Sequence, residues 1–319
     1  MNPGNRRAIV TALLANAGIA VAKFVGWGFT GAASLLAEAV HSVADTGNQA
    51  LLLWGGVAAQ RAPTATHPFG YGRERYFWAF VVSLVLFTLG SLFALYEGAQ
   101  SLLHPHTLTD PKWAIGIVLL GLVLEGFSLR MALREARVIK GDASWWGFIR
   151  NSRNPELPVV VLEDLGALLG LTIALAGISL AALTGDARFD ALGSMAIGVL
   201  LGVIAVVLAI EMRSLLIGEA ALPLDVERIR AAVLALESVN TIIHMRTQHI
   251  GPDELLVAAK VEFDADLFAH ALADAIDDVE AAIREVLPYS AIIYIEPDFY
   301  EASQDSQLAQ EPDDRESTT

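Results

Sequence analysis

The chain has 319 residues, of which 54% are hydrophobic and 18% charged, with a mean hydropathy of +0.50 and no cysteine. This composition is too apolar for an ordinary soluble domain, and the lack of cysteine excludes disulfides and thiolate metal sites. The net charge of −15 counts against a nucleic-acid partner, because a phosphate backbone requires a basic surface.

The charge is unevenly distributed along the chain. Residues 1–218 hold 15 Lys and Arg against 14 Asp and Glu, a net of +1, whereas residues 219–300 hold 5 against 16, a net of −11. The last segment, 301–319, holds one Arg against six acidic residues and shows no apolar periodicity. We therefore predict a membrane domain over the first range, a soluble domain over the second and a disordered acidic tail over the third.

Six apolar blocks fill the first part of the chain, and each is long enough to cross a bilayer as a helix of about 20 residues. We predict six transmembrane helices, over residues 8–30, 32–58, 76–102, 112–136, 157–182 and 189–216.

Orientation follows from the basic residues near the ends of these blocks, which collect on the cytoplasmic side. Two Arg precede the first block, three lie between the second and third, and six Lys or Arg lie at or after the end of the fourth and before the fifth. The opposite connections carry only Lys112 and Arg188. We expect both termini and the loops 59–75 and 137–156 to be cytoplasmic, in a protein of the plasma (inner) membrane.

The pattern of apolar and polar residues in the C-terminal part is typical of a small soluble domain. A helical pattern over 224–237 is followed by two strands, 240–251 and 254–263, which a tight turn joins. An amphipathic helix over 266–287 and a third strand over 290–297 complete it. The order helix–strand–strand–helix–strand predicts an α+β domain of the ferredoxin-like, split βαβ type.

The second apolar block contains the polar sequence EAVHSVADTGNQ at residues 38–49. His41 and Asp45 are one helical turn apart and share a face, and Glu38 and Asn48 lie near the same face. An imidazole nitrogen and a carboxylate oxygen in that arrangement can share a divalent metal ion. Ionisable groups at membrane depth cost roughly 2.5–3.5 kcal/mol on insertion scales, which favours a functional site. The alternative is a structural hydrogen-bonded His–Asp pair.

A second acidic cluster, Glu163-Asp164, lies in the fifth block. Adjacent side chains on a helix point about 100° apart, so one carboxylate can face the second block while the other faces a second polar path or a neighbouring helix. The alternative is that both carboxylates lie in water at the cytoplasmic helix end. Glu125, deep in the fourth block, is a further candidate as a ligand, a proton carrier or a partner for Lys23.

Four stretches of the sequence resemble one protein family. SLLAEAVHSVADTGNQALLLWG (34–55), followed by HPFGYGRERYFWA (67–79), resembles the cation diffusion facilitator family of divalent-metal transporters. RFDALGSMAIGVLLG (188–202) and MRTQHIGP (245–252) agree with it, and the resemblance covers about residues 6–298. The second block together with the LED of the fifth resembles the branch that contains the mitochondrial-type zinc transporters of animals.

The resemblance implies a homodimeric secondary transporter, with no enzymatic activity and no cofactor, that exports Zn²⁺ or another divalent cation such as Mn²⁺, Fe²⁺ or Co²⁺ from the cytosol in exchange for protons. It implies that the C-terminal domain pairs two protomers, and that two residues each from the second and fifth spans bind the metal. His41, Asp45 and Asp164 occupy three of these positions, and Val160, which cannot bind a metal, occupies the fourth.

Several groups are candidates for the missing ligand, because tetrahedral Zn²⁺ accepts three protein ligands and a water. One imidazole with carboxylates also suits Mn²⁺ or Fe²⁺. The candidates are Glu163 first, and then Glu38, Asn48, Glu125 or a water.

The accessory metal sites that the resemblance implies are reduced here, so we expect no strong binuclear regulatory site. In the 59–75 loop His67 remains, with Thr64 and Tyr71 where ligands would be expected. The candidates in the C-terminal domain are His244 and His249, which we interpret as strand surface residues, with Glu296 and Asp298.

Two other functions are consistent with parts of the sequence. The valine at position 160 leaves open a non-transporting membrane metal sensor or scaffold that acts through its acidic cytoplasmic domain. An intramembrane hydrolase is disfavoured, because the chain contains neither an HExxH nor a GxGD motif.

Overall fold

The computed structural model describes residues 3–105 and 109–300, and side chains from residue 17 onward. The chain divides into two compact units, Met1–Leu216 and Ile217–Thr319. The predicted acidic tail, 301–319, lies outside the described residues.

The first unit is a bundle of helices. A π-helical segment, Leu86–Leu92, lies within one continuous helix that runs from Glu74 to Leu103. The helices are α1 Pro3–Thr30, α2 Ala33–Ala58, α3 Glu74–Val85, α4 Phe93–Leu103, α5 Pro111–Lys140, α6 Trp145–Asn151, α7 Glu156–Thr184 and α8 Arg188–Ile217.

Four helices of the described chain are long and apolar enough to cross a membrane, judged by length and composition: Glu74–Leu103, Pro111–Lys140, Glu156–Thr184 and Arg188–Ile217. They correspond to the third to sixth predicted spans, with ends that differ by a few residues. The remaining two blocks also form helices, of 28 residues in α1 and 26 in α2. The fold is therefore a helical membrane domain followed by an α+β domain.

Two features of the first unit differ from the elements predicted from the sequence. The first is the short helix α6, which lies within the predicted 137–156 loop and begins where the Ser144 hydroxyl accepts a hydrogen bond from Gly147 N at 2.9 Å. The second is the π-helical segment. Its sequence, LFTLGSL, has the apolar character of the rest of the span, so hydrophobic periodicity gives no sign of it.

Helix α2 has a central place in the bundle, since it contacts α1, α3, the π-helical segment, α4 and α7.

Elsewhere the helices approach one another through glycines. A Cβ added to Gly98 of α4 would lie 2.6 Å from Met195 Cγ, and one added to Gly198 of α8 would lie 2.7 Å from Leu95 Cγ. Small residues at these crossings let α4 and α8 pack closely, as helices in membranes commonly do.

Asp190, in the first turn of α8, caps the first turn of α2. Ala33 N donates to its Oδ2 at 2.6 Å, and the Ser34 hydroxyl donates to its other oxygen. The side chain is buried. The carboxylate satisfies backbone N–H groups that a helix start leaves without intrahelical partners, and it ties α2 to α8.

Replacing Asp190 with Ala should destabilise the protein by about 1–3 kcal/mol, because two buried donors lose their acceptor. Thermal unfolding of the purified protein in detergent should show a lower melting temperature for Asp190→Ala than for Glu135→Ala, which removes an exposed carboxylate of α5. Equal melting temperatures for the two variants would contradict the capping role.

The second unit contains α9 Pro223–Leu234, β1 Val239–Gly251, β2 Glu254–Phe263, α10 Ala269–Val286 and β3 Ser290–Pro297. Its sheet has the order β1-β2-β3, with β1 antiparallel and β3 parallel to β2. Both helices contribute to one apolar core with the sheet, which includes Ile229, Val257, Val279 and Ile293.

The predicted α+β class is confirmed, whereas the predicted split βαβ arrangement is wrong. In a split unit another strand lies between the two parallel strands, but here β2 and β3 pair directly from Glu254↔Ser290 to Val261↔Pro297. The tight turn after β1 places that strand on one edge of β2. The other edge is then free for β3, which returns through α10.

Candidate functional site

A small polar pocket lies among α1, α2, α5 and α7. We call it the transport pocket, after the metal site that the family resemblance predicts. Carboxylates from three helices border this pocket inside an apolar bundle. Its lining residues are Ile19, Ser42, Asp45, Gln49, Glu125, Val160, Glu163 and Asp164.

The two acidic residues of α7 point to different neighbours. Glu163 Oε1 accepts a hydrogen bond from Asn48 Nδ2 of α2 at 2.7 Å, and Asp164 Oδ2 accepts one from Ser128 Oγ of α5 at 2.9 Å. They diverge as neighbouring helical side chains must, yet both border the transport pocket. Their side chains are only 5% and 9% exposed, so the alternative that both lie in water at the helix end is wrong.

Val160 also lines the transport pocket, one helical turn before Asp164. The position at which the family resemblance expects a ligand therefore faces the pocket but presents an apolar side chain. Asp45, opposite on α2, is 14% exposed. The carboxylate closest in sequence to the vacant position is that of Glu163, which Asn48 holds by its hydrogen bond.

His41 is fully buried and does not line the transport pocket. Its Nδ1 is 3.5 Å from Asp45 Oδ1. The ring faces the π-helical segment, where a Cβ added to Gly90 would lie 3.8 Å from that nitrogen. Within the described chain neither ring nitrogen, nor Asp45 Oδ1, has a hydrogen-bond partner. Buried polar atoms without partners are costly, and a bound cation is one way to satisfy the acceptors among them.

Two other predicted candidates on α2 lie outside the transport pocket. Glu38 is paired with Lys23, whose Nζ is 3.1 Å from Glu38 Oε2 and donates to Ser42 Oγ at 2.7 Å. Asn48 uses its amide nitrogen on Glu163, while its Oδ1 has no partner in the described structure. Both of these hydrogen bonds of Lys23 are to α2, and not to Glu125 of α5, which the sequence offers as a partner.

The carboxylates border one pocket without being drawn together. Among the residues that the structure describes, no group of three or more His, Asp or Glu side chains is close enough to hold a metal ion. A divalent ion would therefore have to gather its ligands. Two of these carboxylates accept hydrogen bonds that would have to change first. Asn48 donates to Glu163, and Ser128 donates to Asp164.

Sequence reasoning missed three residues around the pocket. Ser42 and Gln49 line it from α2, and Ser128 of α5 holds Asp164. The spacing of Ser42 and Gln49 from Asp45, three and four residues, was a signal available in the sequence. Ser128 offered no such signal, because its partner lies 36 residues away in the chain.

The three histidines that are candidate ligands of accessory metal sites lie in different environments. His67 is exposed in the 59–75 loop, with its ring 4.6 Å from that of Tyr71. His244 is half-buried on β1, whereas His249 is only 1% exposed and its ring contacts that of Tyr289 at 5.3 Å. The prediction that His249 is a strand surface residue is wrong, because β1 turns that position towards Tyr289.

The Lys260 ammonium pairs with two acidic side chains at the end of β3, Glu296 and Asp298. Its Nζ is 2.8 Å from Asp298 Oδ2 and 3.2 Å from Glu296 Oε1. The hydrogen bond to Asp298, and then that to Glu296, raises the pKa of the Lys260 ammonium above its ordinary value. Glu296 and Asp298, two of the candidate accessory metal ligands, are therefore already paired with the Lys260 ammonium.

Long apolar helices around a buried, carboxylate-lined pocket are typical of membrane proteins that bind a cation. Residues 9–217 match the family described as "Cation efflux transmembrane domain", and residues 222–298 match "Cation efflux protein, cytoplasmic domain". The chain belongs to the cation efflux family, also called the cation diffusion facilitators, whose members are transporters and not enzymes. The resemblance inferred from the sequence is confirmed.

Named relatives come from animals, plants and bacteria. The chain is 32% identical over 286 residues to the "Proton-coupled zinc antiporter SLC30A9, mitochondrial" of Xenopus laevis, covering 89% of this chain and 51% of that protein. It is 32% identical over 269 residues to "Metal tolerance protein C4" of Arabidopsis thaliana, covering 82% and 58%. The bacterial "Cation-efflux pump FieF" of Pectobacterium atrosepticum is 28% identical over 304 residues, covering 92% and 94%. The chain thus spans about half the length of the animal and plant relatives.

Proposed function

We propose that this protein moves a divalent cation, Zn²⁺ in the first place, out of the cytosol through the transport pocket in exchange for protons. The observation that carries the proposal is the convergence of Asp45, Glu163 and Asp164 on one buried pocket within a cation efflux fold. The names of relatives support the finer statement, since one is called a proton-coupled zinc antiporter and another a cation-efflux pump.

The proposed ligands are Asp45 of α2 together with Glu163 and Asp164 of α7, and His41 lies one turn from Asp45. Glu163 takes the place of the ligand that Val160 cannot supply. Three protein ligands and a water satisfy tetrahedral Zn²⁺. Binding pulls Glu163 away from Asn48 and Asp164 away from Ser128, so the ion replaces two hydrogen bonds with stronger coordination. Carboxylates with one imidazole also admit Mn²⁺ and Fe²⁺.

The same ligands couple the ion to protons. Metal ligands must be deprotonated, so binding from the cytosol releases protons. On the far side, protons return to the carboxylates and displace the ion. The exchange also limits the charge that accumulates in a pocket surrounded by apolar helices, where uncompensated charge is costly.

We infer six transmembrane helices, with α1 and α2 as the first two. Helix α2 is long enough to span, and the polar residues that lower its apolar character are those of the site. The basic residues around the 59–75 and 137–156 loops support cytoplasmic placement of these loops and of both termini. The plasma (inner) membrane is the proposed location, and the C-terminal domain, 219–300, is proposed to pair two protomers and to regulate them.

Ion flux into proteoliposomes with an imposed pH gradient tests the function. Zn²⁺, Mn²⁺, Fe²⁺, Co²⁺ and Cd²⁺ are compared side by side with the full chain, after its fold and dimeric state have been checked. We expect Zn²⁺ flux that an opposing proton gradient drives. If a folded dimer moves none of these ions, the transport proposal fails, and the sensor or scaffold function becomes the better interpretation.

A further inference from the structure

The last turns of α5 and the short helix α6 form a surface of basic and aromatic side chains that takes no part in the transport pocket. We propose that this surface binds the headgroup of an anionic phospholipid in the cytoplasmic leaflet. We call it the headgroup surface. It consists of Arg130, Arg134, Arg137 and Lys140 of α5 with Trp145 and Trp146 of α6. The inference goes beyond transport and rests on the proposed membrane placement of α5 and of the 137–156 loop.

The three arginines continue an exposed apolar face of α5. Val123 and Phe127 are 70% and 65% exposed, and the exposed residues Arg130, Arg134 and Arg137 follow them. The spacings are alternately four and three residues, so all five side chains share one face of the helix. This face is apolar where acyl chains would cover it and becomes basic one turn later. The change marks the depth at which acyl chains give way to headgroups.

The guanidinium groups of these arginines can each accept a phosphate as partner. In the part of the chain that the structure describes, none of the three pairs with an acidic side chain. Residues 130–150 hold five Lys or Arg against two acidic residues, a net of +3. Arginine binds phosphate oxygens through a planar fork of donors, and anionic lipids attract basic clusters that lie next to a membrane span. The charge of this segment therefore complements an anionic headgroup.

Helix α6 is held against α5 and α7 by one buried aromatic side chain. Phe148 is 5% exposed and forms an apolar cluster with Ala132 and Ala136 of α5 and Val161 of α7. Helix α6 therefore lies along the last turns of α5, at the level of its basic residues. A lipid bound there steadies the ends of the two helices that carry Glu125, Glu163 and Asp164 of the transport pocket.

The two tryptophans of α6 lie on its outer side, next to the cations of α5. Trp145 is 37% exposed and Trp146 is 55% exposed. The Lys140 ammonium lies 5.3 Å from the centre of the Trp145 ring, which joins the aromatic and basic parts of the surface. Tryptophan is enriched at the boundary between membrane and water, where its ring sits at the depth of the headgroups.

The alternative is that these basic residues serve only to orient the protein. Lys and Arg gather on the cytoplasmic side of membrane proteins in general, and hydrated charges need no ligand. That interpretation predicts no preference between anionic and zwitterionic lipids. It also gives no role to the pair of exposed tryptophans beside them.

Thermal unfolding of the full chain in detergent tests the inference, with short-chain phosphatidylglycerol or phosphatidylcholine added. We expect phosphatidylglycerol to raise the melting temperature by at least about 3 °C more than phosphatidylcholine, because a ligand of the folded state stabilises it. Arg134→Gln/Arg137→Gln should lose most of this difference. The matched control, Lys112→Gln/Arg188→Gln, removes two exposed charges at the starts of α5 and α8 and should keep it. A wild type without the preference, an unchanged preference in Arg134→Gln/Arg137→Gln, or equal loss in both double variants overturns the headgroup surface.

A second pair of variants tests the aromatic part without changing any charge. Trp145→Ala/Trp146→Ala should lose at least half of the difference between the two lipids. Trp27→Ala/Trp113→Ala removes two tryptophans that are 37% and 68% exposed elsewhere on the bundle, and it should keep the difference. A full preference in Trp145→Ala/Trp146→Ala overturns the assignment of α6 to the surface. A wild type that prefers phosphatidylglycerol but moves no zinc would overturn only the proposed function, since melting requires no transport.

Discussion

Asp45→Asn is expected to lower zinc flux at least 100-fold while the dimer stays folded. Asp45 is the carboxylate of α2 that borders the transport pocket, and its Oδ1 is buried without a hydrogen-bond partner in the described structure. The amide has almost the same shape but carries no charge, so it weakens both metal binding and proton exchange. A 100-fold loss corresponds to about 2.7 kcal/mol of lost stabilisation, which is reasonable for one charged ligand.

Flux into proteoliposomes and binding of zinc in detergent measure this effect together. Glu135→Gln, a change of an exposed carboxylate on α5, is the matched control and should leave both unchanged. Zinc flux in Asp45→Asn within twofold of the wild type would show that the transport pocket has been assigned to the wrong carboxylates.

Glu163→Gln should also lose zinc flux, by roughly 10- to 100-fold, and a second change should restore much of it. If Glu163 stands in for the ligand that is missing at position 160, a carboxylate placed at 160 can take over its role. Val160 already lines the pocket, so Val160→Asp directs its carboxylate there from one turn before Asp164. We expect Val160→Asp/Glu163→Gln to recover at least tenfold over Glu163→Gln alone.

The matched control for the rescue is Val160→Asn/Glu163→Gln, which offers the same size and polarity without the charge. It should remain as slow as Glu163→Gln. Wild-type flux in Glu163→Gln would contradict the role of Glu163, and equal rescue by Asn and Asp would show that space or polarity, and not a ligand, had been restored.

The sequence was a good guide to local structure in this protein. Long apolar blocks end at Gly, Pro or charged residues, so their bounds could be placed within a few residues of α3–α4, α5, α7 and α8. The helical spacing of His41 and Asp45 correctly placed them one turn apart. The family followed from motifs and the α+β domain from the apolar pattern of residues 224–297, and the comparisons confirm the family.

Long-range partners could not be predicted, because no local pattern encodes them. Lys23 pairs with Glu38 across the turn between α1 and α2, and Asp190 caps a helix 157 residues away. The direction of a ring within a helix bundle is not encoded locally either: His41 is a predicted ligand, but its ring faces Gly90 and does not line the transport pocket. The strand order of the second unit depended on which edge of β2 was free, which the sequence of elements alone does not determine.

The most direct test of the central claim is to record zinc and proton movement in the same proteoliposomes, with a zinc indicator and a pH indicator inside. We predict that zinc entry is accompanied by proton exit from the vesicle, that both depend on the imposed gradient, and that both are lost together in Asp45→Asn. Zinc entry without proton movement, or with unchanged rates in Asp45→Asn, would contradict proton-coupled exchange at the transport pocket.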